Sequence, residues 1–281
     1  MKIELCPNIK KDPELIHTKK VVSILKENGA EVYLSRDCNF EIEGVSKEVF
    51  YDPDMIIVLG GDGSIMKAGR RAAIVGVPVL GVNLGRLGFL AELCPDDVEG
   101  LKRVLNHDYR SEKRMLLEAD VIKNGVENKG ISLAINDVVI SHVKASHLLE
   151  IEVYCNGSSL GRYRSDGFIV STPTGSTAYS LSAGGPILSP VLDGFCLTPI
   201  CPHSLLSRPI IVPGDSEIEI KYIAPDNSSA HLTVDGIDAA VLMTGDTLKV
   251  RRSDMSAEFL RLKDESEKSF YDILREKMSD I

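Results

Sequence analysis

Two glycine-containing segments carry side chains suited to chemistry on a phosphate. The first is Gly60-Gly61-Asp62-Gly63 (the GGDG turn), which follows the continuous apolar run 55–59. The second is residues 166–186 (the hydroxyl-rich stretch), where an apolar run leads into Pro173 and Gly175 and then into small and hydroxyl-bearing residues. Glycine lets a ligand approach the backbone closely, and hydroxyls supply short donors and acceptors. Both segments therefore favour a polar or anionic ligand at a strand–turn–helix junction.

Asp62 stands in the middle of a turn that otherwise favours phosphate. A carboxylate in that place is electrostatically unfavourable unless it holds a metal or removes a proton from an attacking hydroxyl. This favours a base for phosphoryl transfer, and the alternative is a tight turn in which Asp62 bonds its own backbone. Neither GxxxxGK[ST] nor GxGxxG occurs in the chain, so phosphates are handled by another architecture.

The first hundred residues alternate between strand and helix patterns, which indicates an α/β domain with an open, mostly parallel sheet. The GGDG turn then lies at the carboxyl edge of that sheet, where ligands bind in open α/β folds. The predicted strands are 2–6, 31–34, 55–59 and 79–82, and the predicted helices are 13–29, 65–73 and 96–105.

From Tyr109 onward the pattern changes to short alternating and β-branched runs, which predict a mostly antiparallel β domain. Three turn pairs favour hairpins: Asn124-Gly125, Asn156-Gly157 and Asp235-Gly236. A last helix, 269–278, is too short to stand alone and should pack onto one of the domains. The predicted strand runs are 115–122, 131–140, 148–154, 210–212, 218–223, 232–234 and 248–250.

The amino-acid composition limits the kinds of partner that the protein can bind. The 281 residues have a net charge of -9 and no long basic run, which argues against nucleic acid and anionic membranes. No apolar stretch is long enough to span a bilayer. The six cysteines are scattered without a CxxC pair, which is typical of reduced thiols in a cytoplasmic protein and offers no Cys/His metal cage. We expect a cytoplasmic protein that binds small molecules.

Five segments occur along the chain in a fixed order. They are the GGDG turn, Asn83-x-Gly85-x-x-Gly88-Phe89-Leu90, Asn136-Asp137, the hydroxyl-rich stretch, and Thr198-Pro199-Ile200-Cys201-Pro202-His203. In this order they resemble the NAD kinases, and most closely the bacterial-type ATP-dependent enzymes. The resemblance extends over residues 56–213, and its most specific part is the run 171–179.

This resemblance implies transfer of the γ-phosphoryl group of ATP to the 2′-hydroxyl of the adenosine ribose of NAD, giving NADP. It implies that Asp62 is the general base, that Mg²⁺ accompanies ATP, and that the protein is a homodimer or homotetramer. The fold implied is an α/β domain (1–108), a sandwich-like all-β domain that binds the dinucleotide (109–255), and a carboxyl-terminal segment (256–281) that returns to the first domain. The nucleotide-binding residues implied are Asp62, Gly63, Asn136, Asp137, His147, Arg164, Asp166, Thr177, Ala178, Tyr179, Ser180, Leu181 and Ser182.

Two alternatives remain at the level of sequence. Lipid and sphingoid kinases share the GGDG turn, although they need an apolar acceptor pocket. A non-catalytic NAD sensor would use the same binding residues, so that only Asp62 separates it from an enzyme. The chain also departs from the family pattern at Asp137, where the family usually has Glu, and at Ser64, where Thr is commoner.

Overall fold

The computed structural model describes residues 1–46, 52–85, 88–123, 125–142, 148–204, 207–223, 228–263 and 269–279. The chain divides into two units, residues 1–113 with 257–281 (unit 1) and residues 114–256 (unit 2). The strands are β1 Lys2–Pro7, β2 Glu31–Leu34, β3 Met55–Gly60, β4 Val79–Asn83, β5 Tyr109–Lys123, β6 Val126–Ala134, β7 Asp137–His142, β8 Leu149–Cys155, β9 Ser158–Ser165, β10 Gly167–Ser171, β11 Gly194–Ile200, β12 Ile210–Pro213, β13 Glu217–Tyr222, β14 Ser229–Val234, β15 Ile237–Met243 and β16 Thr247–Leu262. The α-helices are α1 Ile16–Glu27, α2 Asp62–Val75, α3 Leu101–Leu105, α4 Tyr179–Ser182 and α5 Phe270–Ser279, and the 3₁₀ helices are Pro95–Gly100 and Thr174–Thr177.

Unit 1 is built on a parallel sheet in the order β2-β1-β3-β4, and Phe259 near the end of β16 pairs in parallel with β4. All residues of β3 and β4 are buried, as their continuous apolar runs predict for strands covered on both faces. Helix α2 buries residues at helical spacing, from Ile65 to Ala73. It ends at Val75, and Gly76 follows as the left-handed cap with a φ of 72°. The parallel order brings the carboxyl ends of β1, β3 and β4 to one edge.

Unit 2 contains a six-stranded antiparallel sheet in the order β12-β11-β10-β7-β14-β15. A second antiparallel set runs β16-β13-β8-β9, and β5 pairs with β6. The core of the unit joins side chains from both sets, including Phe168 and Val138 from the first and Ile151 and Ile220 from the second. This is the two-layer arrangement of a β-sandwich.

The predicted fold class is confirmed: an α/β unit with a mainly parallel sheet, an antiparallel β unit and a carboxyl-terminal helix. The Asn156-Gly157 and Asp235-Gly236 hairpins are present, and both pairs have positive φ. Asn124 lies outside the described residues, although Lys123 pairs with Val126 as a hairpin there requires. Strands β9, β11 and β15 have no counterpart among the predicted strands.

Several predicted boundaries are wrong for local reasons. The first helix begins at Ile16 rather than residue 13, because Leu15 has a left-handed conformation. The segment predicted as one helix over 96–105 is a 3₁₀ helix followed by α3, and Asp97 within it is not helical. The run 131–140 is two strands, because the amides of residues 135–137 bond to Asp235 at the break.

Candidate functional site

Three loops follow the carboxyl ends of neighbouring parallel strands in unit 1. They are the turn after β1, the GGDG turn after β3, and residues 83–85 with 88–90 (the second glycine segment) at the end of β4. Leu84 N–H donates to the Gly60 carbonyl over 2.7 Å, and Asn8 N–H donates to the Leu59 carbonyl over 2.9 Å. The GGDG turn is therefore held from both sides at the edge where α/β sheets bind ligands.

Asp62 is the first residue of α2, and its side chain is 35% exposed. Its carboxylate accepts the Phe89 N–H over 2.9 Å and the Leu90 N–H over 3.2 Å. These donors lie 27 and 28 residues away in sequence. The Asp62 carboxylate therefore bonds the backbone of a different loop rather than that of its own turn. Gly88 is required for this approach, since a Cβ there would lie 2.0 Å from Asp62 Oδ1.

Arg261, near the end of β16, supports the backbone that contacts Asp62. Its side chain is only 7% exposed, and its guanidinium donates to the carbonyls of Phe89 (3.1 Å) and Ala91 (3.1 Å). Glu92 and Glu112 lie 3.2 and 3.5 Å from it and balance its charge. A buried arginine with these partners fixes the peptide planes of 89–91, and therefore the amides that hold Asp62.

Helix α5 brings a cation and an aromatic ring to the same place. Lys277 Nζ lies 3.9 Å from Asp62 Oδ2 and 4.6 Å from the centre of the Phe89 ring. The Phe270 ring lies 5.5 Å from that of Phe89. Lys277 is 39% exposed, so water screens its attraction to Asp62.

Gly63, the second residue of α2, is exposed, and a Cβ built on it would meet nothing within 4 Å. No packing contact among the described residues therefore demands glycine at this position. The space in front of its backbone is open to a ligand.

In unit 2, Asn136 and Asp137 belong to a segment held by the Asp235 side chain. The Asp235 carboxylate accepts the N–H groups of Ile135 (3.0 Å), Asn136 (2.8 Å) and Asp137 (3.2 Å). Asp235 itself lies in the β14–β15 hairpin turn with a φ of 50°. The hairpin expected at Asp235-Gly236 is thus also a clamp on the Asn136-Asp137 pair.

The Asp137 side chain is buried, with 5% of the residue exposed. Burial, with a smaller contribution from the charge of Asp235, raises the pKa of Asp137 from 3.8 to about 7. This carboxyl group takes up a proton near neutral pH.

The hydroxyl-rich stretch is β10, the 3₁₀ turn Thr174–Thr177 and the single turn α4. Its residues differ in their exposure to solvent. Ser176 and Ser180 are fully buried: Ser176 donates to the Pro173 carbonyl, and Ser180 lies 3.0 Å from the Thr198 hydroxyl. The remaining site residues here are at least partly accessible: Thr177 and Ala178 are half-buried, and Tyr179, Leu181 and Ser182 are exposed.

The stretch is also tied to the Asn136 segment. Thr172 N–H donates to the Asn136 carbonyl over 2.9 Å, and a Cβ on Gly175 would lie 2.1 Å from that same oxygen. Buried Arg114 donates to the Thr174 hydroxyl over 3.2 Å. The structure thus brings Asn136, Asp137 and the run 172–182 together within unit 2.

Two further site residues of unit 2, Arg164 and Asp166, lie at the end of β9. Asp166 is 49% exposed, and its Oδ1 lies 3.8 Å from His142 Nε2. Arg164 is 60% exposed and lies 3.2 Å from Glu150. His147 lies outside the described residues.

No group of three or more His, Cys, Asp or Glu side chains suited to a metal occurs among the described residues. The donor set at the GGDG turn is limited to Asp62, which fits Mg²⁺ carried on a nucleotide, because that ion usually takes one or two carboxylates together with substrate phosphates. All six cysteines are free thiols. Over the described ranges, no helix is long and apolar enough to cross a membrane.

Sequence reasoning misses Asp235 as a clamp, Arg261 as a support and Lys277 as a neighbour of Asp62. Only the Asp235-Gly236 pair carries a local signal, and that signal is for a turn. Arg261 could be noticed as a charge within an apolar run, but nothing in the sequence identifies its partners.

Comparison with known proteins gives a consistent result. The family described as the ATP-NAD kinase N-terminal domain matches residues 3–109, and the ATP-NAD kinase C-terminal domain matches residues 135–262. The NAD kinase of Caldanaerobacter subterraneus subsp. tengcongensis is 39% identical over 285 residues, covering 99% of both chains. That of Heliobacterium modesticaldum is 45% identical over 226 residues, covering 80% of this chain and 78% of its own.

Two solved structures are similar over nearly the whole chain. Yeast NADH kinase complexed with NADH has a TM-score of 0.82 at 25% identity, covering 99% of this chain and 87% of its own. An NAD kinase from Archaeoglobus fulgidus in complex with ATP has a TM-score of 0.75 at 26% identity, covering 100% of both chains.

Proposed function

The chain belongs to the NAD kinase family and is an ATP-dependent NAD kinase, and we propose that Asp62 is the general base of its reaction. The γ-phosphoryl group of ATP is transferred to the 2′-hydroxyl of the adenosine ribose of NAD, and Asp62 takes the proton of that hydroxyl. Neither alternative, a lipid kinase or a non-catalytic sensor, is supported by the relatives, which are NAD kinases over the full chain.

The observation that carries the assignment of Asp62 is the orientation of its carboxylate. Each oxygen accepts one backbone amide, which leaves a lone pair on each for a proton. The side chain is partly exposed at the start of a helix, so a substrate can reach it. Phosphoryl transfer needs positioning and charge neutralisation more than covalent chemistry, and a carboxylate held in a fixed orientation meets the need for positioning.

We further propose that NAD is bound by the Asn136-Asp137 pair and by the accessible part of the hydroxyl-rich stretch. The side chains that contact the ligand are those of exposed Tyr179, Leu181 and Ser182 and of half-buried Asp166, Thr177 and Ala178. Ser180 acts differently in this proposal, because its buried hydroxyl bonds to Thr198 and shapes the turn. Arg164 and His147 complete the proposed set as polar or basic contacts.

The remaining features of the proposal rest on the resemblance. Asp62 is the side chain of the GGDG turn that would hold Mg²⁺ brought with ATP, and the ion would neutralise charge on the phosphates of the nucleotide. The protein works in the cytoplasm, in keeping with its six free thiols. It forms homodimers or homotetramers, a state that sedimentation of the purified protein measures directly.

The test is NADP formation from NAD and Mg-ATP by the wild type, Asp62→Asn and Asp37→Asn. Asp37 is an exposed aspartate in unit 1, paired with Lys67, and serves as the matched control. General-base assistance typically contributes ~10²–10⁴ in rate, so Asp62→Asn should lose that much turnover while Asp37→Asn keeps it.

Circular dichroism and NAD binding then show whether Asp62→Asn remains folded and able to bind substrate. Full turnover in Asp62→Asn would overturn its assignment as the base. A wild type that binds NAD but makes no NADP would overturn the activity itself.

A further inference from the structure

The GGDG turn needs a positive charge that its own sequence does not supply. A phosphate loop of the GxxxxGK[ST] type carries a lysine within the loop, and this chain has no such motif. The donor phosphates are strongly anionic, and the Asp62 carboxylate adds to the negative charge. Neutralisation of that charge is a main requirement of phosphoryl transfer.

Lys11 brings an ammonium group to this turn from the loop after β1. Its Nζ lies 2.6 Å from the position that a Cβ on Gly61 would occupy and 3.1 Å from that on Gly85. The ammonium therefore sits against the backbone of both the GGDG turn and the second glycine segment. A side chain at either glycine would displace the ammonium from this place.

The loop that carries Lys11 is rigidly attached to the turn it serves. Lys11 N–H donates to the Asn8 carbonyl over 2.9 Å, which closes a turn. The Asn8 side-chain amide donates to the Ser64 hydroxyl over 2.9 Å, which ties that turn to the first turn of α2. Asp12 follows and bonds the amide and hydroxyl of Thr18, which anchors the loop to α1. The backbone under Lys11 is thus preorganised.

Among the residues that the structure describes, no carboxylate competes for the ammonium of Lys11. Asp12 is turned toward α1, and Asp62 is engaged by the Phe89 and Leu90 amides and has Lys277 as its neighbouring cation. Within the ranges that the structure describes, no ion pair involves Lys11, whose side chain is exposed. A cation held against two glycine turns without an internal partner is suited to an external anion.

We propose that Lys11 binds the phosphate chain of the donor nucleotide at the GGDG turn. Lys11 supplies this positive charge from the loop after β1, whereas a loop of the GxxxxGK[ST] type carries its lysine within the loop itself. The proposal rests on the proposed function, since it concerns the donor of the same reaction. Lys11 touches substrate and takes no proton, so its loss weakens donor binding rather than acceptor binding.

The experiment compares wild type, Lys11→Met, Lys11→Arg and Lys10→Met. Methionine keeps the length of the side chain without its charge, and arginine restores the charge. Lys10 is the exposed neighbouring lysine and serves as the matched control. Steady-state kinetics give the KM for ATP and for NAD, and calorimetry gives the Kd for ATP without turnover.

Loss of one charge-assisted contact should raise the KM and Kd for ATP about 10- to 100-fold in Lys11→Met. The KM for NAD should stay within about twofold, Lys11→Arg should recover most of the ATP affinity, and Lys10→Met should match wild type. Inorganic tripolyphosphate should compete with ATP in wild type and lose its inhibition by the same factor in Lys11→Met.

Unchanged ATP affinity in a folded Lys11→Met would overturn the proposal, as would equal losses for ATP and NAD or an equal effect in Lys10→Met. Failure of the proposed function gives a different result, because the wild type itself would then make no NADP. Since the side chain is exposed, the unfolding midpoint of Lys11→Met should equal that of wild type, and a large fall would also contradict the assignment.

Discussion

Two aspartates use the same kind of bond in the two units of the chain, and they use it for different purposes. The Asp62 carboxylate accepts two backbone amides from the second glycine segment. The Asp235 carboxylate accepts three successive amides, those of residues 135–137. In the first case the amides orient the carboxylate, and in the second the carboxylate orients the amides.

The surroundings of each carboxylate account for this difference. The peptide planes that hold Asp62 are themselves fixed by buried Arg261, and Lys277 lies beside Oδ2 of Asp62. Asp235 is fixed by its own hairpin turn. The backbone amides that it binds belong to the segment that carries Asn136 and Asp137. A hydrogen-bonded carboxylate therefore indicates a reactive group only where its partners are held independently of it.

The largest effect should come from breaking the orientation of Asp62 without changing Asp62. In Gly88→Ala the new Cβ would lie 2.0 Å from Asp62 Oδ1, so the carboxylate must move. Displacement of a catalytic group by about 1 Å can cost ~10²-fold, and we expect kcat to fall by that order. Steady-state assays of NADP formation measure the loss. Circular dichroism and the urea-unfolding midpoint of Gly88→Ala show whether the variant keeps its fold. Wild-type kcat in Gly88→Ala would mean that the amide contacts do not matter to turnover.

A different loss should follow from weakening the clamp in unit 2. Asparagine fits the left-handed backbone of Asp235, but it removes the charge and one acceptor. Asp235→Asn should lower the free energy of unfolding by about 1–3 kcal/mol and raise the KM for NAD, with kcat little changed. Urea unfolding and steady-state kinetics measure the two effects. A fall in kcat with unchanged stability would place Asp235 in the same class as Asp62.

The smallest effect depends on pH and concerns Asp137. Its pKa is about 7 in the folded protein against 3.8 ordinarily, so the folded state binds a proton that the unfolded state has released between those values. The unfolding free energy contributed by this group is therefore fully present at low pH and lost as pH rises toward 7. Relative to Asp137→Asn, the wild type should lose on the order of 2 kcal/mol between pH 5 and pH 8.

Urea unfolding of both proteins at several pH values measures that difference, and the comparison of the two cancels the titration of all other groups. A pH-independent difference would mean that the buried carboxyl stays ionised throughout. Repeating the series in Asp235→Asn sharpens the result, because removal of the nearby charge should make the pH dependence of Asp137 smaller.

Much of the fold follows from short segments of sequence. The apolar run at β3 predicts a fully buried strand, and the GGDG turn after it predicts the start of α2 at the ligand-binding edge. The pairs Asn156-Gly157 and Asp235-Gly236 predict hairpins through the positive φ values that both pairs have. The boundary at residue 136 was less predictable, because the polar pair Asn136-Asp137 interrupts the apolar residues 133–140 without a glycine or proline to mark a break.

The sequence by itself determined the fold class, the two segments suited to phosphate and dinucleotide chemistry, and the position of Asp62 at a strand–helix turn. These depend on periodicity and on glycine, whose effects act within a few residues. The tertiary structure alone decided that Asp62 bonds residues 27 and 28 positions away, that Arg261 supports those residues, and that Lys11 lies against Gly61 and Gly85. Such contacts arise when parallel strands bring distant loops to one edge, and no local pattern of residues encodes which side chains meet there.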